Sequence, residues 1–216
     1  MEHNKRRIQL IVFAIFVLPI TLYLVFKSIS KPQFQPVPHS FSILDNGDTL
    51  YHKLPPFRFT DQNGKPFTRE DMLGNISLMS FISPADTLLT KILISNLRRV
   101  HDNIVEGAHI RLVSVHTDST SLAGFAAELG TDPQKWLFVH GPYQEVYRIG
   151  WEAFRLPDFE GKAPPAKPFT AQSVVLIDKA GEVRKVYAGT DLGSVRTITD
   201  DLRSLIVMEY PEELRK

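Results

Sequence analysis

Residues 76–104 divide into three pieces: ISLMSFI at 76–82, SPAD at 83–86 and TLLTKILISNLRRVHDNI at 87–104. The first piece is a short apolar run broken only by serines, which reads as a buried strand. In the third, Leu89, Leu93, Leu97, Val100 and Ile104 recur at intervals of four, four, three and four. Lys91, Ser95, Arg98, Arg99 and Asp102 take the opposite face, so the spacing predicts an amphipathic helix over 85–104. Between them, Ser83 is placed to cap that helix, with Pro84 at its first position. A hydrolase built on Ser83, a histidine and Asp86 is the competing reading. No G-x-S-x-G elbow surrounds that serine.

Working outward, Phe57 to Phe67 alternates around an Asn63-Gly64 turn and predicts a hairpin. Thr68 to Asp71 resembles a capping box with Asp in place of Glu or Gln. Downstream come a strand (109–116), a helix (121–129), a strand (136–140) and a short helix (142–149). Residues 173–177 and 183–187 form a second hairpin across Asp178 to Gly181. A last helix over 194–207 turns Val195, Ile198, Leu202, Leu205 and Ile206 inward. Strands alternating with helices predict an α/β domain: a mixed central sheet with parallel crossovers, covered by helices on both faces. That order is compatible with a thioredoxin-like fold.

Composition removes several functions. The 216 residues are 43% hydrophobic and 23% charged, the balance of a folded globular protein. The net charge is +1, which leaves no basic excess for nucleic-acid binding. There is no cysteine. Thiol nucleophiles, disulfides, cysteine zinc sites, iron–sulfur clusters and thiolate copper sites are therefore absent from this chain.

The N-terminus differs from the rest. Residues 8–26 (IQLIVFAIFVLPITLYLVF) carry no charge and would span roughly 28 Å as a helix, close to a bilayer core. Lys5, Arg6 and Arg7 precede this run, and Lys27 and Lys31 follow it. That bias favours residues 1–7 in the cytoplasm, a single-pass inner-membrane anchor over 8–26 and a periplasmic domain. A cleaved signal is the alternative. Its apolar region would be shorter, and Ser28-Ile29-Ser30 is a weak cleavage site. Residues 27–44 hold a proline-rich stretch, KPQFQPVPH at 31–39, expected to act as a stiff tether. The folded domain is expected over 45–216. Beyond residue 31 the chain has 20 basic and 23 acidic residues, a net of −3.

Three stretches, in order, carry a family resemblance. The first is Asp48 to Lys65 (DTLYHKLPPFRFTDQNGK). The second is Asp132-Pro133 with Trp136 and Phe138. The third is Val174 to Arg184 (VVLIDKAGEVR) with Tyr187, Gly189, Thr190 and Asp191. Over roughly 45–207 the chain resembles the bacterial SCO/SenC proteins, membrane-anchored thioredoxin-fold proteins that help insert copper into cytochrome c oxidase. The resemblance implies a C-P-x-x-C-type pair at the start of the first long helix and a histidine before the late hairpin. Two thiolates and an imidazole suit copper, and a thiol pair can exchange with a disulfide.

This chain departs at all three positions. Aligned on Lys91-Ile92, the pair falls on Ala85 and Leu89; aligned on Pro84, it falls on Ser83 and Thr87. The histidine position falls near Thr170. The resemblance therefore implies a degenerate member, without the cysteine pair and the histidine. It would be a non-catalytic binding or assembly factor for a respiratory oxidase or an intact SCO partner, holding no cofactor.

The alternative is a copper chaperone with substitute ligands. The histidines are His3, His39, His52, His101, His109, His116 and His140. His116 and His140 end predicted strands, at the edge where open α/β sheets bind ligands, and with Asp118 could form a metal site. The opposing reading is two loop histidines that never meet. Asp45 to Asp48 suggests calcium, but without a twelve-residue loop ending in Glu it reads as a turn. Residues 155–169 form a long irregular segment. Trp151, Phe154, Phe159 and Phe169 either make a partner surface or pack that segment onto the core.

Overall fold

The computed structural model describes residues 2–29, 36–43, 49–83, 86–103, 109–116, 122–159 and 170–211. The chain divides into two compact units, Met1–Phe34 and Gln35–Lys216.

The first unit is one helix, α1 (Glu2–Ile29), with Pro19 inside it. The Thr21 hydroxyl donates to the carbonyls of Val17 and Leu18 at 3.0 and 2.9 Å, so this polar group is satisfied within the helix. Over Lys5–Val25 the helix is long and apolar enough to be a membrane anchor or a signal. Phe13, Phe16 and Leu22 all stand more than half exposed.

The second unit is built on seven strands: β3 (Arg58–Asp61), β4 (Pro66–Thr68), β5 (Ile76–Ile82), β6 (Ile110–His116), β7 (Trp136–His140), β8 (Ser173–Ile177) and β9 (Val183–Ala188). Their order across the sheet is β4-β3-β7-β6-β5-β8-β9. The central three, β7, β6 and β5, are parallel, and the outer strands join antiparallel. This is the mixed α/β sheet expected from the sequence.

The strands look continuously apolar because alternate side chains serve opposite faces. Leu78, Ile82, Leu112, Trp136, Phe138, Val174 and Leu176 pack with α3 (Thr87–Asp102), α4 (Leu122–Leu129) and α6 (Leu192–Glu209) on one face. Met79, Phe81, Val113, Val115, Leu137, Val139, Val175 and Ile177 fill the other. There they meet Met72 of α2 (Arg69–Met72) and Val146 of α5 (Tyr143–Tyr147).

Local signals act as expected. Gly64 takes φ +78 at the β3–β4 turn, the left-handed backbone that glycine adopts freely. The Asp71 carboxylate accepts from the Thr68 backbone N–H and hydroxyl at 2.7 and 3.0 Å.

Four local findings differ from or extend the sequence reading. A two-stranded sheet, β1 (Phe41–Ile43) with β2 (Thr49–Tyr51), precedes the main one. The stretch read as a tether to residue 44 meets the domain earlier. Val37 is buried, its carbonyl accepts from Arg184, and Ser40 N–H donates to the Val183 carbonyl. Helix α5 runs on into a π-helical turn, Arg148–Ala153. The segment after it packs inward: Phe154, Leu156 and Phe159 are buried. Phe159 meets the Phe81 ring edge-on at 5.1 Å and sits where a Cβ on Gly150 would be. The described rings of this segment therefore belong to the core. Phe169 and the rest of 160–169 lie outside the described residues, as do Asp45 to Asp48.

Candidate functional site

Strands β5, β6 and β7 end side by side. Ile82 pairs with His116, and His116 with His140. Parallel strands place their C-terminal ends on one edge, where ligands bind in open α/β sheets. Immediately past β5 lies Ser83, and facing it is Thr170, just before β8. Ala171 N–H donates to the Phe81 carbonyl at 3.0 Å, extending the antiparallel ladder to this point.

Three residues there close a hydrogen-bonded ring. Ser83 N–H donates to Thr170 Oγ1 at 2.9 Å. Thr170 Oγ1 lies 2.6 Å from Thr90 Oγ1. The Thr90 hydroxyl donates to the Ser83 carbonyl at 2.6 Å. With the Thr90 proton on that carbonyl, the Thr170 hydroxyl has two acceptors in reach, Thr90 Oγ1 and, at 3.4 Å, the same Ser83 carbonyl. Both polar groups of the Ser83 backbone are thus satisfied through two threonine side chains. All three residues are buried, where an unmade hydrogen bond is costly.

The helix start differs from expectation. Asp86 is the N-cap of α3, its carboxylate accepting from Leu89 N–H at 3.4 Å. Ser83 lies a turn earlier, held in the ring and fully buried. Its Oγ is enclosed in the core, which removes the hydrolase reading. Pro84 and Ala85 lie outside the described residues. Of the two alignments for the missing pair, Thr87 and Leu89 fall in the first turn of α3, with Thr87 exposed and Leu89 half-buried.

The neighbouring histidines are brought together. His116 and His140 are register partners. By strand alternation they share the face of Leu112, Trp136 and Phe138. His116 is completely buried, edge-on to Phe125 at 5.2 Å and Phe138 at 6.1 Å. His140 is half-buried. Asp118, the proposed carboxylate partner, lies outside the described residues.

Among the described residues, one group of three brings ligand-type atoms within 4.8 Å of one another: His39, Asp178 and Glu182. Its carboxylates are already engaged. Arg184 Nη1 lies 3.1 Å from Asp178 Oδ2, and Lys53 Nζ lies 2.7 Å from Glu182 Oε1. His39 Nδ1 is 2.9 Å from Glu182 Oε2, and Asp178 Oδ1 accepts from Ala180 and Glu182 N–H. The Lys53 hydrogen bond holds the Glu182 carboxyl below its ordinary range, against a partial burial that raises it. This cluster is a clasp fixing the Val37–Ser40 segment to the β8–β9 turn.

No protein-family model and no curated protein matches the sequence. Solved structures do. BsSco, a member of the Sco family of cytochrome c oxidase assembly proteins, superposes with a TM-score of 0.60 at 22% identity. The match covers 75% of this chain and 98% of BsSco.

The chain has the Sco fold.

A SCO1/SenC family lipoprotein from Bacillus anthracis matches at TM-score 0.59 and 21% identity, over 72% of this chain and 96% of that one. ScoI of Bradyrhizobium japonicum, solved with copper bound, matches at 0.55 and 16%, over 70% of this chain and 98% of that one. Of the positions the sequence resemblance assigns to the cysteine pair and the histidine, the ring includes Thr170 and, in one of the two alignments, Ser83; Thr90 is not among them. Its donors are hydroxyl and carbonyl oxygens. These are hard ligands and do not fit a soft copper ion.

Sequence reasoning named Thr170 only as the place of a missing histidine, and Thr90 not at all. They are 80 positions apart. No local pattern links them; only the β5–β8 pairing does.

Proposed function

We propose that this chain is a degenerate Sco-family protein acting by contact, as a non-catalytic assembly factor for a respiratory oxidase or for an intact Sco partner. The carrying observation is the Ser83–Thr90–Thr170 ring. It supports this reading because Ser83 and Thr170, two positions the resemblance assigns to reactive groups, are buried and hydrogen-bonded to one another and to Thr90. Without cysteine, thiol exchange has no nucleophile in this chain. In this reading α1 anchors the protein, with residues 1–7 cytoplasmic and the domain in the periplasm. Deleting the gene in its host and measuring the haem absorbance and activity of assembled cytochrome c oxidase in membranes tests it. The expected result is a loss of assembled oxidase, restored by the wild-type chain and by a Thr90→Val/Thr170→Val variant that still folds. Unchanged oxidase would overturn the reading.

One observation favours a second reading, copper carriage on substitute ligands. The sheet register puts His116 beside His140, and imidazole suits copper. Against it stands the complete burial of His116 between two phenylalanine rings.

A further inference from the structure

Helix α3 carries one outward stripe at intervals of four, three, four and four: Leu88, Ile92, Ser95, Arg99 and Asn103. Beginning beside the Ser83 loop, it is apolar for its first two members and basic at Arg99. Leu88 is 69% exposed and Ile92 38%. Both point away from the core that Leu93 and Leu97 fill. Helix α6 packs alongside, with Leu192, Arg196, Thr199 and Arg203 at intervals of four, three and four. Between the helices lies a groove of about 570 Å³, walled by Arg99 and Asn103 on one side and by Leu192, Arg196, Thr199 and Arg203 on the other.

The charge in this groove is one-sided. Arg99, Arg196 and Arg203 face a single carboxylate, Asp200. Asp200 lies 3.8 Å from Arg196 and 3.7 Å from Arg203, beyond hydrogen-bond distance. The Arg196 side chain is 92% exposed. The chain beyond residue 31 is net negative, so this is a local reversal of its charge. Leu192, 60% exposed, adds apolar surface beside the arginines. A groove that sets Leu192 and Val195 among three guanidiniums, with the exposed Leu88 and Ile92 earlier on the α3 stripe that carries Arg99, is complementary to a helix carrying leucines and carboxylates on one face. Arginines bind carboxylates in paired fashion, which also fixes register.

We propose that the α3–α6 groove docks an acidic, leucine-bearing helical segment of a partner protein. This rests on the reading above that the chain works by protein contact, and names the surface that makes it. The leucine end of the stripe brings the bound helix toward the Ser83 loop, and the arginine end draws in its carboxylates.

The test uses the full chain in phosphatidylcholine nanodiscs. The probe is a synthetic helical peptide with leucine and glutamate along one face; a version with every glutamate replaced by lysine is the control. The acidic peptide should bind, more weakly at higher salt, and the lysine version should not. Arg99→Glu/Arg203→Glu and Leu88→Ser/Ile92→Ser should each weaken binding by roughly tenfold or more, with the melting temperature preserved because these side chains are exposed. Failure to bind, or equal binding by wild type and both variants, overturns the proposal. So does arginine-dependent association with phosphatidylglycerol nanodiscs while the peptide stays inert, which would make this a lipid-facing surface. If the variants lose nothing yet gene deletion still lowers assembled oxidase, the groove assignment falls and the assembly role stands.

Discussion

Thr90 Oγ1 and Thr170 Oγ1 meet at 2.6 Å across 80 residues of sequence, joining α3 to the segment that leads into β8. Their contact lies just past the C-terminal end of β5, beside the residues that lead into β8. It also makes the backbone there self-sufficient, since Ser83 needs no further partner for its N–H or its carbonyl.

The two threonines should not be equivalent. Thr170→Val removes the acceptor of a buried N–H and should cost about 1–3 kcal/mol in denaturant unfolding. Thr90→Val removes a donor to a carbonyl that also accepts from Asp86 N–H, and should cost about 1 kcal/mol. The double variant should cost less than the sum, because both changes break one ring. Full additivity would show that the ring is not a unit.

The buried pair Arg184–Asp178 should matter more than any surface ion pair. Both side chains are under a tenth exposed, and Arg184 also holds the Val37 carbonyl. Asp178→Asn keeps an acceptor for the turn amides but leaves a guanidinium buried without its counter-charge. We expect a loss of about 3 kcal/mol by equilibrium unfolding, with earlier proteolysis at residues 36–40. A loss below about 1 kcal/mol would mean that Arg184 finds water or another partner easily.

Glu182 gives a pH dependence with a definite sign. Lys53 lowers its folded pKa below the ordinary value of 4.5, so its contribution is present above that pH and is lost as pH falls through the folded value. Glu182→Gln should therefore melt lower than wild type at neutral pH, and the gap should close below about pH 4.5. A gap that widens in acid would reverse the assignment. Added salt should shrink the neutral-pH gap, because the Lys53 side chain is more than half exposed.

The proposed anchoring role of α1 predicts a fractionation. The full chain should stay with membranes through alkaline carbonate washing, and a cysteine placed at Asn4 should be labelled only from the cytoplasmic side. Release into the soluble fraction after cleavage near Ser30 would instead make α1 a signal.

Much of this architecture was legible in local pattern. The apolar run at Ile76–Ile82, the four-and-three spacing from Leu89 to Val100, and the Asn63-Gly64 turn each fix their element by short-range chemistry. The order of these elements then leaves few sheets to choose from. What local pattern could not carry was pairing. Whether His116 and His140 meet could not be read from the sequence, because only the β6–β7 register joins them. The contact between Thr90 and Thr170 gave no signal, since a threonine near a helix start and another before a strand are ordinary. Helix α3 starts later than Pro84 suggested, because Ser83 is drawn into the ring and Asp86 supplies the cap. The β1–β2 sheet was hidden because three-residue strands carry too short an alternation to read.

The most direct test is a Cu(I) titration of the full protein in detergent, anaerobically, against a competing chelator, with Cu(II) run separately. A sealed, oxygen-lined corner predicts no copper retained beyond the competitor. One tightly held equivalent would contradict that account. If that equivalent disappeared in His116→Ala/His140→Ala, copper would have moved one strand over, onto the paired histidines.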